Sequence, residues 1–324
     1  MNSGPIPLPT VSTPPRLAVL ESHRMLRIAR GGRLQPWLGP ALRGLAGGRL
    51  KAHACRHSVA EQVTRWLRCT GCALRDGCAY GETVEGEPVG AAGDGDAARP
   101  LVVAPAYPCP ETGRTGDRIP VCVVFVGTAA ISHADIFWEA LRVGGADPGL
   151  GLGHDRVLFD IFPSDKPDLT ENVELPLDPV AVPGFAPVVR VRLTSPLILK
   201  TRAGGTERYL VERPTLAQLL RPWESLAGLF RYADATLADE HVGRVRELST
   251  GVPTLGCDFG VVGQVKASHR TNERWEEKGI VGWGEYGPVP VGLLPWLRWA
   301  GRLHVGNHRV AGAGGWEVSV GAGE

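Results

Sequence analysis

The sequence predicts an α+β chain of two successive ferredoxin-like βαββαβ units, the first carrying a small cysteine-containing insertion. Three observations point there. Each half reads strand, helix, strands, helix, glycine-rich loop, strand. The first strands start near residues 17 and 188 and the glycine loops at 149 and 312, offsets of 171 and 163. The third is size: 324 residues, 43% of them apolar, can fill two cores of ordinary dimensions. Sequence identity between the halves is negligible, so the repeat is one of pattern only.

Residues 1–15 are proline-rich and lack the apolar stretch of a signal peptide, so they read as a disordered leader. Residues 16–163 form the N-terminal unit, with the cysteine motif inside it. Residues 164–187, acidic and rich in proline without periodicity, read as a linker. Residues 188–324 form the C-terminal unit with its glycine-rich loop.

In the first unit, residues 17–28 contain a strand-like stretch. Leu38, Leu42 and Leu45 have helical spacing, and Gly47 and Gly48 are expected to end that helix. Ser58 and Glu61 make a capping box for a short helix bearing Val59, Val63, Trp66 and Leu67. Residues 86–100 read as a surface loop. Residues 121–126 are a β-branched apolar run, hence a buried strand. Ser132 and Asp135 open a helix with Ile136, Phe137, Ala140 and Leu141, ended by Gly144 and Gly145. Residues 156–162 are the last strand.

In the second unit, residues 188–199 alternate, with Val189, Val191 and Leu193 opposite Arg190 and Arg192. Thr215 with Gln218 opens a helix that Pro222 kinks. Residues 259–268 and 279–288 pair around a charged loop. Residues 293–300 are a tryptophan-rich helix, and residues 316–320 a closing strand.

The net charge of +1 hides a segregation. Residues 16–75 hold eleven arginines and one lysine against only Glu21 and Glu61, a local excess of +10. Such a field suits a polyanion, and arginine suits bidentate phosphate contacts. Codon bias would explain the abundance of arginine but not its clustering. No apolar run is long enough for a membrane helix, and seven cysteines, an odd number, argue against a disulfide framework. The expectation is a cytoplasmic protein with no membrane partner. The glycine loops follow helices and lead into strands, the reverse of a dinucleotide fingerprint. The basic segment also lacks the clustered acids of a two-metal nuclease.

Several segments together resemble a known family. Residues 37–47 (WLGPALRGLAG) look like the opening motif of the CRISPR repeat-processing endoribonucleases of the RAMP superfamily. Cys55, then Cys69-Thr-Gly-Cys72 and Cys78-Ala79-Tyr80-Gly81, resemble their cysteine signature. Residues 189–200 (VRVRLTSPLILK) resemble the first strand of their second domain. His269-Arg270 with residues 279–282, and residues 306–309 with Gly312–Gly315, resemble two later motifs. Residues 281–286 (VGWGEY) depart from the family's pattern. The resemblance implies tandem ferredoxin-like RAMP domains that bind CRISPR repeat RNA. It also implies cleavage without metal, to a 2′,3′-cyclic phosphate and a 5′-hydroxyl, with retention on the product among other CRISPR effector subunits. A non-catalytic RAMP subunit that binds crRNA is the rival reading, and a zinc-containing scaffold protein is another.

Such cleavage needs a base, an acid and cations around the phosphorane. If residues 49–57 are helical, Arg49, His53, Arg56 and His57 share a face. His53 and His57 are the candidate acid and base, with Lys51 and Arg43 as cations and His23 in reserve. Arg27, Arg49, Arg56, His269, Arg270, Arg274, His308 and Arg309 are candidate RNA contacts. So are Gly312, Gly314 and Gly315, whose backbone amides could approach phosphates. Catalysis requires no cofactor. Cys55, Cys69, Cys72 and Cys78 could hold a structural zinc, an iron–sulfur cluster, or neither, as reduced core thiols. His53 or His57 could replace one of them. Cys109, Cys122 and Cys257 read as small apolar residues, and Trp275 as a candidate for base stacking.

Overall fold

A computed structural model of the chain describes residues 16–55, 69, 72, 74–85, 98–151, 155–176, 178–202, 208–233, 239–268 and 273–321. It divides into two compact units, residues 1–174 with 225–237, and residues 175–224 with 238–324.

The N-terminal unit is built on β1 (Leu17–Arg30), a strand of 14 residues. With β2 (Leu101–Pro105), β3 (Arg118–Val126) and β4 (Leu158–Pro163) it forms an antiparallel sheet in the order β2-β3-β1-β4. Helix α1 (Gly39–Ala54) lies between the first and second strands, and α2 (Ala134–Ala146) between the third and fourth. This is the ferredoxin-like order. The two helices cover the sheet face that carries Leu26, Ile28, Val121, Val123 and Phe125, with Leu42, Ala46, Phe137 and Leu141 opposite. Burying these side chains drives the packing, at about 1.5–3 kcal/mol for each large one.

Three departures from expectation lie in this unit. Helix α1 runs through Gly47 and Gly48 to Ala54 instead of stopping at the glycines. The reason is packing: a Cβ on Gly47 would lie 3.2 Å from Val84 Cγ1. The close approach offsets the roughly 1 kcal/mol that a helical glycine costs. The strand β2 follows the expected loop and was not foreseen. Residues 164–187, expected to be a linker, contain β5 (Leu169–Val173), paired with β1. β1 thus changes neighbours along one edge: residues 24–30 pair with β4 and residues 17–21 with β5. Between them the side chain of Asp168 takes the place of a strand. It accepts from Ser22 Oγ (3.0 Å), the His23 amide (2.8 Å) and Arg24 Nη1 (2.9 Å).

The C-terminal unit repeats the order with β6 (Val188–Leu193), β7 (Thr254–Ser268), β8 (Glu273–Tyr286) and β9 (Trp316–Gly321), arranged β7-β8-β6-β9. Helix α3 (Leu216–Leu220) starts at the expected capping box, Thr215 with Gln218, and ends before Pro222. Helix α4 (Asp239–Thr250) was not foreseen, because apolar burial on it rests on little more than Val242 and Val245. Helix α5 (Leu294–Leu303) buries Trp296 edge-on against Trp223, ring centroids 5.0 Å apart. The expected charged loop, residues 269–278, is partly strand: pairing reaches Ser268 with Glu273. There Glu276 and Lys278 are exposed and Glu277 buried, the alternation of a strand with one covered face.

Candidate RNA interface, cysteine cluster and glycine corner

Helix α1 opens with Pro40 in its first turn and no acidic side chain there, and its last turn carries Lys51 and His53. His53 is exposed and Lys51 half-buried. Cys55 is the C-cap, with φ −69° and ψ 124°, so the helix does not continue past it. Arg49 and His53 share the expected face, but the face ends at Ala54. Arg56 and His57 lie outside the described residues, as does the helix expected after Ser58. Arg49 is engaged rather than presented: its Nη2 donates to the Asp147 carbonyl and lies 3.3 Å from the Asp147 carboxylate. Arg27 is exposed, its guanidinium 4.2 Å from the centre of the Phe162 ring.

Arg43 faces inward. Its Nη2 lies 3.4 Å from the Val84 carbonyl, and burial, with Arg99 next in weight, holds its pKa below the usual value. A guanidinium so placed braces α1 against the turn Tyr80–Val84 and does not reach toward a scissile phosphate. Beside it Arg99 pairs with Glu85 (2.9 Å), and nearby Glu82 pairs with His133 (2.7 Å). Neither pair was foreseen, since each joins residues far apart in sequence.

The four cysteines of the motif lie close enough to influence one another electrostatically. The Cys72 amide donates to the Cys69 carbonyl, and Cys78 Sγ lies 3.5 Å from the Ala54 carbonyl, next to Cys55. The Cys69 thiol is pushed up to about 12, by burial first and then by Glu85, Cys78, Cys72 and Cys55. Four thiols and a carboxylate have the chemistry to hold a dication, but among the described residues no three of their ligand atoms come within 4.8 Å of one another.

On the same unit's sheet, His23 is buried, and burial above all lowers its pKa, with Lys166 next. It is in no position to meet solvent as a reserve base.

In the C-terminal unit the glycine-rich loop is a packed corner. Gly312 and Gly314 take φ of 77° and 79°, and a Cβ on Gly314 would fall 1.8 Å from the Val305 carbonyl oxygen. The amides expected to face phosphates are used inside the fold. Gly312 donates to Arg309 (2.8 Å), Gly314 to Pro196 (2.9 Å) and Gly315 to Ser195 Oγ (2.9 Å). The glycines therefore serve close packing and positive φ rather than anion binding through those amides. Arg309 is also buried, its Nε donating to the Leu303 carbonyl. His308 Nε2 lies 3.0 Å from Glu277, a carboxylate 5% exposed that also pairs with Lys200 at 2.8 Å. Sequence reasoning missed Glu277; the signal was its place on the covered face of β8. The side chain of Arg274 and that of Trp275 are not described, and His269 and Arg270 lie outside the described residues.

Two ferredoxin-like units in tandem, the first with a basic helix at one end, make up the RAMP-type fold. Comparison with known proteins agrees. Residues 17–166 match the family model AF_1859_N, an N-terminal domain, and residues 191–316 match the model of the CRISPR-associated endoribonuclease Cas6. A Cas6 product complex shares the fold at a TM-score of 0.50 and 14% identity, covering 94% of this chain and 100% of that one. A chain of a partial Cas6-RT-Cas1–Cas2 complex reaches 0.53, also at 14% identity, covering 97% of this chain and 47% of that one. No curated protein matches. The C-terminal unit thus carries the match to the Cas6 endoribonuclease family, and that match supports CRISPR repeat-RNA processing. Among the described residues no helix is long and apolar enough to cross a membrane.

Proposed function

We propose that the chain cleaves CRISPR repeat RNA in the cytoplasm without a catalytic metal, and then stays on its product with other effector subunits. The 2′-hydroxyl beside the scissile phosphate loses its proton to a base and attacks phosphorus. The 5′-oxygen leaves with a proton from an acid. The products are a 2′,3′-cyclic phosphate and a 5′-hydroxyl. The observation that supports this reading is His53, exposed beside Lys51 at the end of α1 in a segment of +10. His53 is the candidate for one proton transfer and His57 for the other, and Lys51 supplies charge to the phosphorane. Arg27 and Arg56 are the candidate phosphate contacts of this unit, with His269, Arg270, Arg274 and the half-exposed His308 those of the other.

The test is cleavage of a repeat RNA by purified protein in excess chelator. The expected result is a cyclic phosphate end, and no cleavage of RNA with 2′-deoxy at the scissile nucleotide. Cleavage of the deoxy substrate would overturn the internal attack. Tight binding with no cleavage under any condition would favour a non-catalytic crRNA-binding subunit.

The reading includes a structural zinc on Cys55, Cys69, Cys72 and Cys78, whose donor chemistry fits that ion. Protein purified without added metal should carry about one zinc on this motif, lost in Cys72→Ser together with fold stability. A metal-free and fully stable protein would mean four reduced core thiols.

A further inference from the structure

Away from α1 and the cysteine motif, the sheet of the N-terminal unit holds a second set of ligating side chains. Glu21 and His23 are two apart on β1, so they project from the same face. Cys122 on β3 is the cross-strand partner of His23. A pleated antiparallel pair therefore brings a carboxylate, an imidazole and a thiol to one spot. Their ligand atoms all lie within 4.8 Å of one another.

Two observations point to a ligand there. The first is the state of His23. Its side chain is 9% exposed, yet its Nε2 has no hydrogen-bond partner. An orphaned buried imidazole nitrogen is costly unless something binds it. The second is spacing. Nε2 lies 3.9 Å from Glu21 Oε2. That is too long for a hydrogen bond. It is close to the roughly 3.3–3.5 Å that separates two ligands of one tetrahedral ion with bonds of about 2.0–2.2 Å.

The strand is also clamped at this point. Asp168 fixes the backbone and neighbours of His23 through Ser22 Oγ, the His23 amide and Arg24. Arg24, next along the strand, is thereby turned onto Asp168. Immobilised ligands are what a metal site requires of its surroundings.

We infer that Glu21, His23 and Cys122 bind a zinc-type divalent cation on the face of this sheet. One sulfur, one nitrogen and one oxygen donor select a borderline metal such as zinc over calcium or magnesium, which take oxygen alone. Three protein ligands leave a fourth position for water. On binding, the Cys122 thiol gives up its proton to solvent and the thiolate sulfur bonds the ion. The ion ties β1 to β3 and takes no part in the cleavage proposed above.

Cobalt(II) tests this, because a thiolate–cobalt bond absorbs in the near ultraviolet. In the Cys69→Ser/Cys72→Ser chain, checked for folding by circular dichroism, about one equivalent of cobalt should still bind with one thiolate's absorbance. His23→Gln or Cys122→Ala in that background should abolish it. If the double variant does not fold, metal analysis of the otherwise native chain replaces it. Cys122→Ala should then lower the bound zinc by about one per chain, whether or not the four-cysteine motif holds metal. No metal dependent on Cys122 and His23 in either experiment, or cobalt retained in both His23→Gln and Cys122→Ala, would overturn the site.

Discussion

The two ferredoxin-like units share a strand order, but the histidines of the C-terminal glycine corner and the histidine that ends α1 are used in opposite ways. In the C-terminal unit His304 is buried with Nδ1 3.1 Å from the Ala313 carbonyl, and His308 is held by Glu277. Both adopt positive φ, 58° and 60°, a strain of order 1–3 kcal/mol each that the corner's contacts must offset. In the N-terminal unit His53 is exposed at a helix end. A histidine built into a corner can hold a fold together, whereas one in solvent can meet a substrate. The comparison teaches that a glycine-rich loop does not by itself offer its amides to RNA, since the amides of this loop are bonded inside the fold.

That contrast can be broken at several strengths. His53→Ala should lower the single-turnover cleavage rate about 10²–10⁴-fold with little change in RNA binding. His308→Ala should leave that rate within about tenfold. Equal losses in both would dissolve the distinction.

Gly314→Ala places a Cβ against the Val305 carbonyl at positive φ, and should destabilise the C-terminal unit by more than about 3 kcal/mol, read from urea unfolding. Gly44→Ala on α1 meets nothing within 4 Å and should instead stabilise by about 0.5–1 kcal/mol. The same substitution with opposite signs separates a corner glycine from a helical one.

The pH dependence sharpens the comparison further. Burial, above all, pushes the His304 pKa down to about 4, and Arg309 adds to it. The folded value lies below the unfolded one of about 6.5. The neutral ring's contribution is therefore complete above pH 6.5 and is lost as pH falls toward 4, by on the order of 3 kcal/mol. Urea midpoints at pH 7 and pH 4 should show this loss in the native chain and less of it in His304→Gln. The smallest effect concerns the basic segment: log affinity for repeat RNA against log salt should slope by roughly −0.7 per phosphate neutralised. A flat response would remove that segment as the RNA footprint.

Much of the fold was legible in the residues. Alternation at Val189, Val191 and Leu193, the Thr215 capping box and the β-branched run ending at Val126 each became the element they suggest. Their signal is local, because a pleat or a helical turn repeats within a few residues. The charge segregation and the four motif cysteines were legible for the same reason.

What the sequence by itself determined is the α+β class, the tandem repeat, the basic first segment and the residue types available for chemistry. Tertiary structure alone decided which of those residues are available. It continued α1 through two glycines, the first of them packed against Val84, and turned Arg43 and Arg49 onto carbonyls. It also closed the amides of the glycine corner. His23 and Cys122 stand 99 positions apart, and only the register of β1 against β3 makes them neighbours. The physical reason is common to all of these. Periodicity records which face of an element is covered, but a contact between elements depends on register and on which side chain gives way. Those are settled when the sheet and its helices pack.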